Sequence, residues 1–453
     1  MTTGAPGAPA LAAPPASPPR ARGADVVRLA QRLAPFLLGG YLACIALATL
    51  IGLGFDPVLA NAKWRLARAL GVRLSARDLV DAARNVALFA GWGVTLALVT
   101  RPLATRRTVA VATLTGLLAS VTVEAAQCFS TRRMASLADV ATNTLGACLG
   151  AAVVVLVEWR ASGDVRRGTL LGVPAWFAAG GLALAALGFA YAPSARPAAV
   201  VSWAGSPLGR LADVRATPAT AFEWWTFVPD VAVFGALGLV AALAVADRAG
   251  RLRLPQLAAW AAIAAAASAG AQLLRGLSGL RRETGAAWVQ GVAVAAGLAV
   301  GLLAVGAWRR RVPAAPARAG WVAGAIVLVL LVCNWMPAWW LGGATAEPSW
   351  RQLVPMYSLY MRQDLGSVFI VAQKAGLGAA LGALVAGRRM AGVRQPGLRA
   401  VALLAVAVEA GQLLVPGRWP DVTDVLLITA GAAVTAVLAL RASEAALPGA
   451  AVR

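Results

Sequence analysis

Successive apolar runs of about 18–24 residues, broken by short arginine-bearing connections, constrain this chain more than any other feature: each is long enough to cross the ~30 Å hydrocarbon core of a bilayer as a helix. A helix satisfies its backbone hydrogen bonds internally, which lipid cannot do for it. Charged residues make up only 13% of the chain, against roughly 25% in soluble domains, and mean hydropathy is +0.72. The expected fold class is all-α: a polytopic integral membrane protein of about twelve transmembrane helices.

The net charge of +22 would point to nucleic acid in a soluble protein. Here the arginines lie between apolar spans, so they point to membrane topology and anionic lipid headgroups, and no nucleic-acid partner is expected. The chain contains no histidine, which excludes His-based metal sites and Ser-His or Cys-His catalysis. Cys44, Cys128, Cys148 and Cys333 have no CxxC spacing and are expected to be buried apolar thiols. No metal or cofactor is expected.

Residues 1–32 are rich in Ala and Pro, carry Arg20, Arg22, Arg28 and Arg32, and lack an apolar run. They are expected to form a disordered basic arm rather than a signal peptide. Spans then follow in three quartets, giving four-helix units at 33–160, 165–311 and 319–441, with a tail at 442–453. In each quartet a long polar loop follows the first span. The short connections Arg106-Arg107, Arg248 to Arg253, Arg309 to Arg311 and Arg388-Arg389 are basic. The positive-inside rule then puts both termini in the cytoplasm. The turn between the third and fourth helices of each unit faces outward.

Fixed offsets support internal repetition. Gln127, Gln272 and Gln412 end the third helices, and at 145 residues Asn85-Val-Ala-Leu-Phe89 falls on Asp230-Val-Ala-Val-Phe234. At 285 residues Glu124 falls on Glu409, Arg133 on Arg418, Ser136 on Asp421, Asp139 on Asp424 and Gly146 on Gly431. The middle unit keeps only Gln272 of the hairpin set at the 145 offset, with Ala269, Ser278 and Thr284 at the Glu, Arg and Asp positions, and is expected to serve as scaffold.

The polar residues thus concentrate in two helix–turn–helix hairpins. The first holds Glu124, Gln127, Arg133, Ser136, Asp139 and Asn143, with Asn85 on the same side of the membrane; the second holds Glu409, Gln412, Arg418, Asp421 and Asp424. Gly146, Gly150 and Gly431 form small-residue packing seams. Three readings stand open. The carboxylates can cap and salt-bridge the hairpin. Arginine beside a helix N-terminus can hold an anionic ligand such as a lipid headgroup or lipid-linked glycan. Glu124 or Glu409 can act as a general base, although no nucleophile or phosphate-cradling loop accompanies them. Lys374, a lone charge in the tenth span, is expected to snorkel or pair with a carboxylate such as Glu409. Trp224, Trp225, Trp335, Trp339, Trp340 and Trp350 are expected to mark an interfacial belt.

The succession Glu124, Gln127, Arg133, Asp139, Asn143, Gly146, Gly150 resembles the signature of VanZ-like membrane proteins. The Asn85 helix start and the Pro416-Gly417-Arg418 turn are similar to that family's pattern too. The sequence departs from it in lacking a histidine at any second-helix start and in having Ile428 where the first copy has Asn143. The resemblance implies a multi-pass protein of the bacterial plasma membrane, acting at the cell envelope. The family takes its name from a protein conferring low-level resistance to the glycopeptide teicoplanin. The leading function is therefore non-enzymatic binding or handling of a lipid or glycopeptide-type ligand at the outer leaflet, with membrane lipids as partners. A secondary transporter using intramembrane carboxylates and an enzyme acting on a lipid-linked substrate are the alternatives.

Overall fold

The computed structural model describes residues 76–100, 105–131, 134–165, 173–191, 228–245, 286–308, 315–335, 350–353, 366–390, 397–415 and 418–445, with shorter stretches within 38–46 and 58–66 and single residues at 262 and 355. Among these residues the fold is all-α. The helices are α1 (Ala76–Val99), α2 (Thr105–Gln127), α3 (Leu137–Val165), α4 (Val173–Tyr191), α5 (Val228–Val245), α6 (Ala286–Trp308), α7 (Ala315–Trp335), α8 (Gly366–Met390), α9 (Leu398–Gly411) and α10 (Val422–Ala445). Residues 38–43 are also helical, and a 3-10 turn spans Trp350–Leu353. The expected span near 255–274 lies outside the described residues apart from Ala262.

Among the described residues, five segments are long and apolar enough to cross a membrane: Asp81–Val99, Arg106–Gln127, Leu137–Leu156, Ser367–Gly387 and Val422–Leu440. Shorter apolar helices occur at Phe177–Phe189, Val228–Leu243, Val292–Gly301 and Val322–Trp335. Their threonines remain compatible with lipid because the hydroxyls bond back to the preceding turn. Thr95 donates to the Gly91 carbonyl at 2.8 Å, Thr113 to Val109 at 2.8 Å and Thr122 to Leu118 at 2.8 Å.

Lipid tails are as apolar as leucine, so these helices need close backbone approach rather than hydrophobic exclusion to associate. Glycine supplies it in one recurring place. A Cβ on Gly93 would lie 2.0 Å from the Ala147 carbonyl oxygen, one on Gly146 2.4 Å from that of Val86, and one on Gly150 2.0 Å from that of Ala90. These contacts join α1 to α3. The α5–α6 seam is built the same way, with Gly238 against Val294 and Gly297 against Gly235. So is the α8–α10 seam, with Gly382 against Ala432 and Gly431 against Ala375.

These contacts align the helices more finely than a single offset does. Gly93 matches Gly238 and then Gly382, while Ala147 matches Val294 and then Ala432. In that register Asn85 corresponds to Asp230 and Lys374, and Asn143 to Gln290 and Ile428. Thr284, the sequence offset's counterpart of Asp139, gives way to Ala286.

The largest apolar core lies between α4, α5, α7 and α8, around Leu182, Val240, Ile326, Leu330 and Leu377. Gly181 and Gly376 let α4 and α8 touch there, each glycine meeting the other's carbonyl oxygen. A second core gathers Leu96, Ala112, Ala151 and Val154 with Leu438 of α10, tying the N-terminal helices to the C-terminal ones. Both hairpins contribute to these cores, α9–α10 through Val401, Ala405, Val408 and Ile428 to the first and α2–α3 through Ala112, Ala151 and Val154 to the second.

Candidate functional site

The α2–α3 hairpin is fixed by one carboxylate. Glu124, near the end of α2 and 7% exposed, accepts the Ser136 backbone N–H through Oε2 at 2.8 Å. The Ser136 carbonyl in turn accepts the Asp139 N–H at 3.2 Å, starting α3. A negative charge among the unpaired N–H groups of a helix start is electrostatically favourable. The same bond recurs in the α9–α10 hairpin: Glu409 accepts the Asp421 N–H at 3.1 Å, and the Asp421 carbonyl accepts the Asp424 N–H at 3.0 Å. Asp421 also caps α10, its Oδ1 accepting the Thr423 N–H at 2.7 Å. Gln412 adds a side-chain bond to Glu409 at 2.8 Å.

Beneath these matching turns the two hairpins differ. In the first, Asn143 donates its Nδ2–H to Ser120 Oγ at 2.9 Å. Ser120 is fully buried and Asn143 is 4% exposed, and Asn143 Oδ1 has no hydrogen-bond partner. In the second, Ala405 and Ile428 take these positions, both fully buried. Lys374 enters instead from α8. Its Nζ bonds Asp424 Oδ2 and Asn334 Oδ1 and lies 3.9 Å from Glu409 Oε1. The expected pairing of Lys374 with Glu409 is present, but Asp424 is the nearer acid. Between the two, α5 and α6 carry a third version, in which Gln290 donates to Asp230.

The remaining expected site residues fall as follows. Asn85 is half-buried on α1, and Gln127 is buried at the end of α2. Ser136, Asp139, Asp421 and Arg418 are half-buried. Burial pulls the Arg418 guanidinium below its ordinary value, with the Asp424 and Glu409 carboxylates acting the other way. Arg133, the Pro416-Gly417 turn and Gln272 lie outside the described residues.

Three participants escape the sequence motif. Ser120 lies one turn before Glu124, and nothing distinguishes it there from the chain's other membrane serines. Arg65, from a short helical stretch in the segment after the expected first span, donates to the Cys128 carbonyl at 3.2 Å, while Ala62 packs on Cys128 and Ala135 at the turn. Burial and Glu124 push the Cys128 thiol up. Asn334 reaches Lys374 from the end of α7. A signal for the loop does exist: Trp64-Arg65 recurs as Trp350-Arg351, and the 3-10 turn holding the second pair packs against α10. Trp335, expected in an interfacial belt, donates its indole N–H to the Val408 carbonyl at 2.9 Å.

A family model described as VanZ/LLP1 matches the chain twice, over residues 40–158 and 316–443, together more than half its length. The chain belongs to the VanZ/LLP1 family. It is a VanZ-like membrane protein with two matching units, and each contains one of the hairpins above. The N-terminal VanZ/LLP1 unit carries the Ser120–Asn143 pair and the C-terminal one the Lys374 cluster. Comparison with the curated proteins and with the solved structures found no match.

Chemically, both hairpins present carboxylates held by backbone N–H groups, an arrangement suited to binding and fixing charge. Among the described residues there is no group of three or more His, Cys, Asp or Glu placed to hold a metal ion.

Proposed function

We propose that this VanZ/LLP1 protein binds or handles an envelope lipid or glycopeptide-type ligand at the outer leaflet of the bacterial plasma membrane, without catalysing a reaction. In this reading about twelve spans form three four-helix units at 33–160, 165–311 and 319–441. Residues 1–32 form a basic cytoplasmic arm, residues 442–453 a cytoplasmic tail, and the middle unit is a scaffold. The recurring glycine seam between second and fourth helices supports the three-unit arrangement.

The observation that carries the ligand reading is the buried, half-satisfied amide of Asn143 beneath the Glu124 hairpin. Leaving a buried polar atom unpaired costs about 1–3 kcal/mol. At the matching positions the C-terminal unit has the apolar Ala405 and Ile428, its own unpaired buried atoms among the described residues being Glu409 Oε1 beside Lys374 and Thr429 Oγ1. An unpaired amide oxygen kept at this position in the N-terminal unit therefore favours a site over a simple lock. Native mass spectrometry of the purified chain, with and without Asn143→Leu, tests this. Envelope lipid or added teicoplanin should be retained by the parent and lost from a variant of unchanged thermal stability. Equal retention by both sinks the reading, as does no retention by either.

The buried Lys374, Glu409 and Asp424 cluster favours a second reading, a carboxylate-coupled carrier. Proton-coupled uptake by reconstituted vesicles that survives Glu124→Gln with Glu409→Gln would remove it.

A further inference from the structure

From the comparison of the two hairpins we infer that the N-terminal unit has an ammonium site, formed by Glu124, Asp139 and Asn143, which a primary amine of a ligand occupies as the Lys374 side chain occupies its counterpart. This deepens the outer-leaflet reading by naming the chemistry of the ligand, and it rests on that reading.

The argument starts from register. The glycine contacts superpose Gly146 on Gly431 and Val86 on Ala375, so Asn85 stands where Lys374 stands. The carboxylates also correspond, Glu124 with Glu409 through the same backbone bond, and Asp139 with Asp424 in the first turn of the fourth helix. In the C-terminal unit a tethered ammonium lies between these acids. In the N-terminal unit the same helix carries a short neutral amide, with no ammonium to deliver.

The second observation is independent of the acids. Asn143 follows Asp139 by one turn on α3, and its partner Ser120 precedes Glu124 by one turn on α2. The Asn143 amide is therefore held between the two helices directly below the carboxylates. It is 4% exposed and its Oδ1 accepts no hydrogen bond. An ammonium offers three N–H donors, enough for Oδ1 and two carboxylates together. Where the ammonium is built in, the amide and its serine are replaced by Ile428 and Ala405.

The acids need not be idle for this to hold. Glu124 and Asp139 make further interactions of their own. Glu409 likewise accepts from Asp421 and Gln412 through Oε2 while Oε1 faces Lys374. Glu409 thus keeps its backbone bond while an ammonium lies 3.9 Å from its other oxygen, at ion-pair rather than hydrogen-bond distance.

The test uses the full chain in phosphatidylglycerol nanodiscs, with radiolabelled methylammonium as probe. One saturable site per chain is expected, at least tenfold weaker for tetramethylammonium, which has no N–H. Asn85→Lys, which installs the tether, and Asn143→Leu should each weaken methylammonium at least tenfold, while Lys374→Ala should add a second site. Displacement by phosphatidylethanolamine but not phosphatidylcholine would assign the amine to a lipid headgroup, and no displacement to a free amine; both support the site. Absence of saturable binding to the parent chain overturns the inference, whether or not Lys374→Ala binds. Binding unchanged in Asn143→Leu overturns it as well, even if Asn85→Lys does not fold. If lipid or teicoplanin retention persists without methylammonium binding, the ammonium site fails alone and the broader reading stands.

Discussion

Lys374 stands on α8 at the position Asn85 holds on α1, and that exchange separates the two VanZ/LLP1 units more than any difference in their turns. One unit closes its hairpin around a cation from its own chain. The other keeps an amide and a serine below its acids.

Removing the cation should be costly. Lys374→Ala leaves Glu409 and Asp424 buried without it, and breaking a buried pair in this way costs about 3–5 kcal/mol. The triple variant Lys374→Ala, Glu409→Gln, Asp424→Asn removes the stranded charges and should recover much of that loss. Thermal unfolding in detergent checks both; equal stability of single and triple variants would refute the ion cluster.

The glycine seam predicts a contrast between two nominally mild substitutions. Gly150→Ala places a Cβ 2.0 Å from a backbone oxygen, and should destabilise by about 1–3 kcal/mol as overpacking does. Gly180→Ala on α4 meets nothing within 4 Å and should be neutral or stabilising by up to about 1 kcal/mol, from helix propensity alone. Midpoints of thermal unfolding, measured side by side, decide it.

The shared carboxylate bond predicts parallel behaviour in the two hairpins. Glu124→Ala and Glu409→Ala each leave a backbone N–H without its acceptor, at about 1–3 kcal/mol. Glu124→Gln keeps an acceptor oxygen and should lose less. Amide exchange at Ser136 and Asp421 reads the two bonds individually, and faster exchange is expected in the alanine variants alone.

The buried amide pair lends itself to a double-mutant cycle. Ser120→Ala removes the acceptor of Asn143 Nδ2 and should destabilise. Ser120→Ala with Asn143→Ile copies the Ala405 and Ile428 packing and should return stability to the parent level or above it, because both unpaired groups are gone. Thermal unfolding gives the coupling, and additive losses would contradict it.

The hairpins are legible in the sequence because Glu124 to Asp139 and Glu409 to Asp424 keep one spacing, so a single offset of 285 finds them. That same offset hides Lys374. It carries Asn85 to Ile370, whereas the helices pack with Asn85 matched to Lys374, four residues further on. Four residues are close to one helical turn, so the face is preserved while the numbering slips. A slip of two, which does not preserve the face, hides Gln290: it bonds Asp230 but does not align with Asn143 at the 145 offset. Gly146, Gly150 and Gly431 are visible as small residues, but their partners, Val86 and Ala90 on α1 and Ala375 on α8, are set by tertiary packing across sequence separations no local pattern records.

The position of Lys374 also bears on how the protein is made. Synthesis runs from N- to C-terminus, so α8 reaches the membrane before Glu409 and Asp424 have been translated. A lysine inside a membrane span costs up to about 2.5–3.5 kcal/mol on insertion, and of the described side-chain partners of Lys374, Asn334 on α7 alone precedes it in the chain. The C-terminal unit therefore commits its charge to the bilayer before the acids that neutralise it exist. Ribosomes stalled before residue 409 should expose a half-built unit that quality-control proteases distinguish from the finished one.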